Sequence, residues 1–307
     1  MTTPTVRTDV YTRVTNRIVA DLEAGTPTWL KPWSAEHLAG RITRPLRGNG
    51  VPYKGINVFM LWAEATARGF VCPIWMTYRQ ARELGGQVRK GEIGSLVVYA
   101  DKIVRTETDA QGAEAERAIP FMKGYSVFNC EQIDGLPERF QATAPRLDPA
   151  PRIARADEFL SASKADIRHG GDRAFYAIHP DYVQMPPFEA FRDPVSYYAT
   201  LSHELTHWTR HPSRLDRDFG RKRYGDEGYA REELVAELGA AFLCADLDLT
   251  PEPRPDHAAY IASWLDVLRN DKRFIFTAAS HAQRAADYLH GLHRPGAADA
   301  EAGRAAA

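Results

Sequence analysis

Apolar residues fall four apart at Val10, Val14, Ile18 and Leu22, the spacing of one helix face, and predict an amphipathic helix ending near Gly25. Pro27 and Pro32 then hold an extended stretch that contains Trp29 and Trp33. INVFMLWAEATARG predicts a second helix closed by Gly69, and MTYRQARELGG a third closed by Gly85 and Gly86. At QVRKGEIGSLVVYADKIVR the composition turns to β-formers and reads as a hairpin. The acidic TETDAQGAEAER reads as a mobile loop or a long hairpin tip, and GYSVFNCEQIDGL resumes with a strand.

Residues 141–152, QATAPRLDPAPR, are proline-rich and aperiodic, which makes them the expected linker between domains 1–140 and 152–294. Beyond it, ARADEFLSASKA predicts a helix, and AFYAIHPDYVQMPP predicts paired strands that turn at Pro180 and Asp181. Helices dominate thereafter, up to a tail from Pro295 whose composition suits disorder. The expected class is α+β in two domains.

Composition narrows the picture in three ways. The chain of 307 residues is 44% hydrophobic and 26% charged, ordinary for globular domains. It has no run approaching the roughly 18–20 apolar residues of a membrane span and no secretion signal at its start, so a cytoplasmic protein is expected. Cys72, Cys130 and Cys244 are odd in number and widely spaced, and are expected as buried free thiols. Residues 1–105 carry 15 Lys and Arg against 8 Asp and Glu, a net of +7 in a chain of net −1. A basic first third points to a polyanion partner or to a merely solvated surface.

The chemistry concentrates in HELTH, residues 203–207. Asp193 as N-cap and Pro194 as first helical residue start a helix that runs through VSYYATLSHELTHWTRH to Pro212, so HELTH lies well inside it. Residues four apart share a helix face, so His203 and His207 can turn both imidazoles to one ion, with Glu204 beside them as general base. A later helix, REELVAELGAAFLCADL, offers Glu232, Glu233 and Glu237. Glu233 is the expected third ligand, and Glu237, one turn on, the expected hydrogen-bond acceptor for a ligand histidine. Glu232 points about 100° away and is expected to be solvated. His211, beside Pro212, reads as a cap or surface residue, and Tyr224, Tyr229 and His179 stand as candidate oxyanion donors. Zinc suits this set, with manganese or cobalt as alternatives.

Trp29, Trp33, Tyr53, Trp62, Trp75 and Tyr78 alternate with cations including Lys31, Arg41, Arg44, Arg47, Lys54, Arg79, Arg89 and Lys90. A single-strand binder needs this mixture, because aromatic faces stack bases while cations follow phosphates; tryptophans are also common core residues.

RPLRGNGVPYKGINVFMLW, WMTYRQARELGGQVRKGEIG, KGYSVFNCEQIDGL, HELTHWTRHPSRLDRDFG and EELVAELGAAFLCADL together resemble the ArdC family of plasmid-borne antirestriction proteins. The resemblance implies an N-terminal domain that binds single-stranded DNA and is related to one in plasmid primases. It further implies a zincin-like metallopeptidase domain, and protection of incoming plasmid DNA from host restriction during conjugation. The family's metal motif maps onto His203, Glu204 and His207, with Glu233 the third ligand. The DNA contacts expected from composition and position are Trp29, Trp33, Arg44, Arg47, Tyr53, Lys54, Asn57, Tyr78, Arg79, Arg89 and Lys90. Two alternatives remain: a DNA binder with a structural metal, and a regulatory peptidase that cleaves a repressor. A protein substrate, if there is one, has no signature in the sequence.

Overall fold

The structure is a computed structural model that describes residues 9–24, 43–108, 114–140, 149–220, 226–249 and 257–293. Trp29, Trp33, most of the expected linker and the tail lie outside the described residues. Helix α1 (Val10–Glu23) starts where Asp9 accepts from the Thr12 amide, and it buries Val14, Ile18 and Leu22 as their spacing requires. Helix α2 (Ile56–Arg68) stops at Gly69, which takes the left-handed conformation (φ 71°) that a residue with a Cβ resists. A capping box of Thr77 and Gln80 opens α3 (Tyr78–Glu83).

Strands β1 (Leu46–Arg47), β2 (Ile74–Met76), β4 (Ser95–Thr108) and β5 (Glu114–Asn129) form a sheet in the order β1-β2-β5-β4. The parallel β1–β2 pair is joined across α2, since two parallel strands need such a crossover. The hairpin expected within QVRKGEIGSLVVYADKIVR is corrected. Its first part, β3 (Gln87–Val88), pairs with β6 (Ile133–Asp134), and β4 pairs with β5 in register from Ser95↔Val127 to Thr108↔Glu114. Gly91, at φ 92°, turns the chain between β3 and β4, and the two ends of the acidic segment, residues 106–108 and 114–117, are paired across the β4–β5 hairpin. Asn57 covers the open edge of β4: its amide donates to the Val98 carbonyl at 2.8 Å and accepts from the Val98 N–H at 2.7 Å. Cys72 and Cys130 are paired as a disulfide, contrary to the expectation of free thiols; the β2–β5 pairing juxtaposes them. Cys244 is free and buried.

Helix α4 (Pro149–Ser161) begins inside the expected linker, because Pro149 and Pro151 in its first turn cost no helical hydrogen bond. Strands β7 (Asp166–His169), β8 (Phe175–Ala177) and β9 (Tyr182–Met185) form a second sheet, ordered β7-β9-β8. Asp181, at φ 49°, makes the β8–β9 turn. Then come α5 (Pro194–Trp208), α6 (Glu227–Asp246), α7 (His257–Asn270) and α8 (Phe274–Leu292). None of the described helices is long and apolar enough to cross a membrane.

The larger of two apolar clusters runs from α1 and α2 into α6, α7 and α8, and the smaller gathers Met76, Ala81, Val88, Ile133, Leu136 and Phe140. Phe59 of α2 stacks on Phe242 of α6, with ring centroids 4.8 Å apart. Helices α5 and α6 meet where Gly239 faces Thr206: a Cβ on Gly239 would lie 2.5 Å from the Thr206 methyl. That close approach brings the two helices carrying the candidate site together.

Candidate metal centre

Helix α5 starts as its local chemistry dictates, with Asp193 accepting from the Ser196 amide at 2.7 Å and Pro194 in the first turn. Its middle is enclosed by α6 and the β7-β9-β8 sheet, so His203, Glu204 and His207 are all buried, Glu204 with only 3% of its surface exposed. Asp226 caps α6 by accepting from the Tyr229 amide at 2.8 Å. That helix is buried on nearly every side, and Glu232, Glu233 and Glu237 stand in the interior.

Glu233 faces both imidazoles: its carboxylate oxygens lie 3.5 Å from Nε2 of His203 and 3.4 Å from Nε2 of His207. One ligand atom from each of the three residues falls within 4.8 Å of the other two. The other nitrogen of each ring is also backed by a carboxylate. Glu237 stands 3.5 Å from Nδ1 of His203, and Glu232 stands 3.1 Å from Nδ1 of His207. Two imidazoles and a carboxylate, each imidazole oriented from behind, fit a divalent cation of the zinc class by donor chemistry. Glu204 makes no hydrogen bond or ion pair with protein among the described residues, so its carboxylate is available for a reacting molecule.

Glu232 corrects the expectation of a solvated side chain. It is 2% exposed and takes two hydrogen bonds from Arg217, at 2.8 and 2.7 Å. Arg217, also buried, donates besides to the Thr206 carbonyl and the Thr209 hydroxyl. Adjacent glutamates diverge by about 100° on a helix, but a helix enclosed on all sides gives both directions a partner. Burial opposes ionisation of Glu232, yet the Arg217 guanidinium outweighs it and holds the carboxyl down at about 2. For His207, burial works against the charged form, and the carboxylates of Glu233 and Glu232 overcome it, raising the imidazole to about 10. Arg217 had no signal in the sequence, since a loop arginine after the histidine helix looks like any other. His211 closes a local turn with Ser213. Of the oxyanion candidates, Tyr229 is buried on α6, His179 is exposed in the β8–β9 turn, and Tyr224 lies outside the described residues.

The candidate DNA residues separate by burial. Arg44 is withdrawn: it is buried, pairs with Asp246 at 2.6 and 2.9 Å and bonds Gln283 at 2.8 Å, so a phosphate could reach it only by displacing these partners. Asn57 is withdrawn for the same reason, being spent on Val98, and Tyr53 is buried beneath Arg47. Arg47, Lys54, Tyr78, Arg79, Arg89 and Lys90 are exposed. Arg79 and Arg89 pair with Glu83 and Glu92, and Lys54 with Asp287, all at the surface. The structure adds a group that the sequence reading passed over. On one face of the β4–β5 hairpin, Tyr99 (48% exposed) and Tyr125 (44%) stand edge to face, with Phe121 and Lys123 beside them. The alternation Val97, Tyr99, Asp101 was the available signal, but its cross-strand partners come from the pairing with β5.

The sequence matches the family model of the N-terminal domain of anti-restriction factor ArdC over residues 8–128 and that of a zincin-like metallopeptidase over residues 154–281. An uncharacterized protein of Sinorhizobium fredii, y4eC, is 48% identical over 94% of both chains. The DNA primase TraC of Escherichia coli is 39% identical over 92% of this chain, which spans only 27% of the primase. The crystal structure of the antirestriction protein ArdC from plasmid R388, metal-free, has a TM-score of 0.78 and 49% identity, covering 93% of this chain and 98% of that one. Its Mn(II)-bound structure gives 0.77 and 47%, covering 94% and 100%. With the ArdC N-terminal and zincin-like regions in this order on one chain, and a solved ArdC alike over nearly its whole length, the chain belongs to the ArdC family of antirestriction proteins.

Proposed function

We propose that the chain binds single-stranded DNA through its N-terminal region, carries a divalent-metal peptidase site in its C-terminal region, and protects incoming plasmid DNA from restriction. The division falls at residues 140–152, between the two matched regions. The observation that carries the reading is the convergence of His203, His207 and Glu233, each histidine backed by a further carboxylate.

These three residues would hold the cation, zinc by donor type, with manganese or cobalt as alternatives. A bound cation supplies Lewis-acid chemistry to a peptide carbonyl and to a water. Glu204 takes the proton of the attacking water and returns it to the leaving amine. Glu237 and Glu232 fix the two imidazoles, and Arg217 fixes Glu232. DNA contacts come from the exposed Arg47, Tyr78, Arg79, Arg89 and Lys90 and from the hairpin aromatics, with phosphates on the cations and bases on the rings.

Metal content and single-strand affinity of the parent, His203→Ala, Glu233→Ala and Glu204→Gln test this. About one metal per chain, lost in the first two variants and kept in the third with DNA binding intact throughout, is the expected result. A metal-free parent, prepared with divalent cations present, would sink the peptidase reading. One observation favours a second reading, in which the metal is structural: Glu204 is enclosed. Antirestriction by Glu204→Gln equal to that of the parent would establish it.

A further inference from the structure

Where the N-terminal region meets α8 there is a cleft of about 310 Å³, lined by Arg273, the residue that caps α8, and by Thr277, Ser280 and Arg284 of α8, and from the other side by Tyr11 of α1 and Met122 of β5. These four residues recur at helical spacing and form one stripe. Arg273 and Arg284 are exposed, and neither has a carboxylate partner among the described residues. The Arg273 guanidinium lies over the Tyr11 ring at 5.1 Å, and Arg284 reaches the ring of His281. Several arginines elsewhere are engaged by acids: Arg44 by Asp246, Arg68 by Glu64, Arg214 by Asp181, Arg231 by Glu227 and Asp271. Among the described residues no acid lines this cleft. Asp271, just before it, is engaged by Arg231 and by the Arg273 backbone N–H.

The surroundings add to the positive potential. The cleft begins at the N-terminal end of a 19-residue helix, the positive end of its dipole. Burial and then the Arg284 charge push the His281 imidazole down to about 4, so it stays neutral there. The cleft also has apolar surface: Phe276 meets Tyr11 edge to face at 4.8 Å, beside Met122. Eleven residues of helix separate the Arg273 and Arg284 Cα atoms by roughly 16 Å at about 1.5 Å per residue, a span that suits two phosphates of one chain better than one small ion. Strand β5, whose Met122 faces the cleft, presents Phe121, Lys123 and Tyr125 on its opposite face, so the cleft and the hairpin aromatics lie on opposite sides of that strand.

We propose that this cleft holds the backbone of single-stranded DNA, with separate phosphates on Arg273 and Arg284, the Thr277 and Ser280 hydroxyls between them, and a base against Phe276 and Tyr11. The inference rests on the DNA-binding reading above and extends the binding path onto the helices of the zincin-like region.

The test is single-strand affinity of the full chain over a range of salt, for the parent, Arg273→Gln/Arg284→Gln and Arg273→Lys/Arg284→Lys. The Gln pair is expected to bind about tenfold more weakly at low salt, with a slope of log K on log salt smaller by about 1.4, two phosphates at about 0.7 each. The Lys pair should keep most of the parental slope, which separates lost charge from damaged folding. A Gln pair that binds like the parent overturns the cleft and leaves the DNA reading standing. A parent that binds no single strand at low salt overturns both. Pyrophosphate that binds the parent but not the Gln pair, with an unchanged DNA slope, makes the cleft a small-anion site and removes DNA from it.

Discussion

Arg217 and Glu232 exchange two hydrogen bonds out of reach of water, and Glu232 spends its remaining capacity on His207. An enclosed pair of this kind adds little net stability, because desolvating both ions offsets their attraction, but removing one partner strands the other. Arg217→Met should therefore cost about 3–5 kcal/mol, read as a lower urea midpoint. The double variant Arg217→Met/Glu232→Leu should recover much of that loss. If the single variant is as stable as the parent, Glu232 is accommodated in some other way. Glu204 has the opposite character, a buried carboxylate without a protein partner among the described residues, which is why its replacement is expected to leave the fold and the metal in place.

At the scale of elements, the distance between α5 and α6 decides whether Glu233 reaches both histidines. Gly239→Ala should place a methyl against Thr206 and push the helices apart, costing about 1–3 kcal/mol and weakening divalent-metal binding in the same variant. Adding Thr206→Ala should relieve both effects; metal binding unchanged in Gly239→Ala would show that the helices do not separate. The β8–β9 turn is tied to the loop after α5 by Asp181, which accepts from Arg214 at 3.0 and 2.5 Å and from Tyr176 at 2.8 Å. The Arg214 hydrogen bond holds the Asp181 carboxyl below its ordinary range. A depressed carboxyl stabilises the fold above its unfolded pKa, about 3.9, and that contribution is lost as pH falls through the folded value. Asp181→Asn should thus be less stable than the parent at neutral pH, by under about 1 kcal/mol at this half-exposed site. The two should converge in acid; thermal melts across that range would reveal a gap that persists, and so a different cause.

The whole molecule does not separate along its two matched regions. Phe59 stacks on Phe242, Arg44 of the N-terminal region lies over that ring and bonds α6 and α8, and α1 rests on α7. Both regions should therefore unfold together. Fluorescence from a variant keeping only Trp62, and from one keeping only Trp208, should give the same urea midpoint. Two separate midpoints would mean that the shared core contributes little to cooperativity. This continuity also lets residues of both regions line the cleft at Arg273.

Features that depend on neighbours a few residues away are legible in the chain alone. The four-residue spacing of Val10, Val14, Ile18 and Leu22, the Asp193–Pro194 start, and HELTH on one helix face follow from helix geometry alone. Motif strings along the chain were enough for the ArdC family resemblance, and the family matches bear it out. The tertiary structure decided whatever depends on partners far off in the chain. It paired β4 with β5 and Cys72 with Cys130, drew Arg44 and Asn57 inward, and set Arg217 behind Glu232. Local patterning tells a helix which side to bury, but an arginine or a glutamate reads the same in sequence whether it meets water or a buried partner. Only packing brings that partner to it.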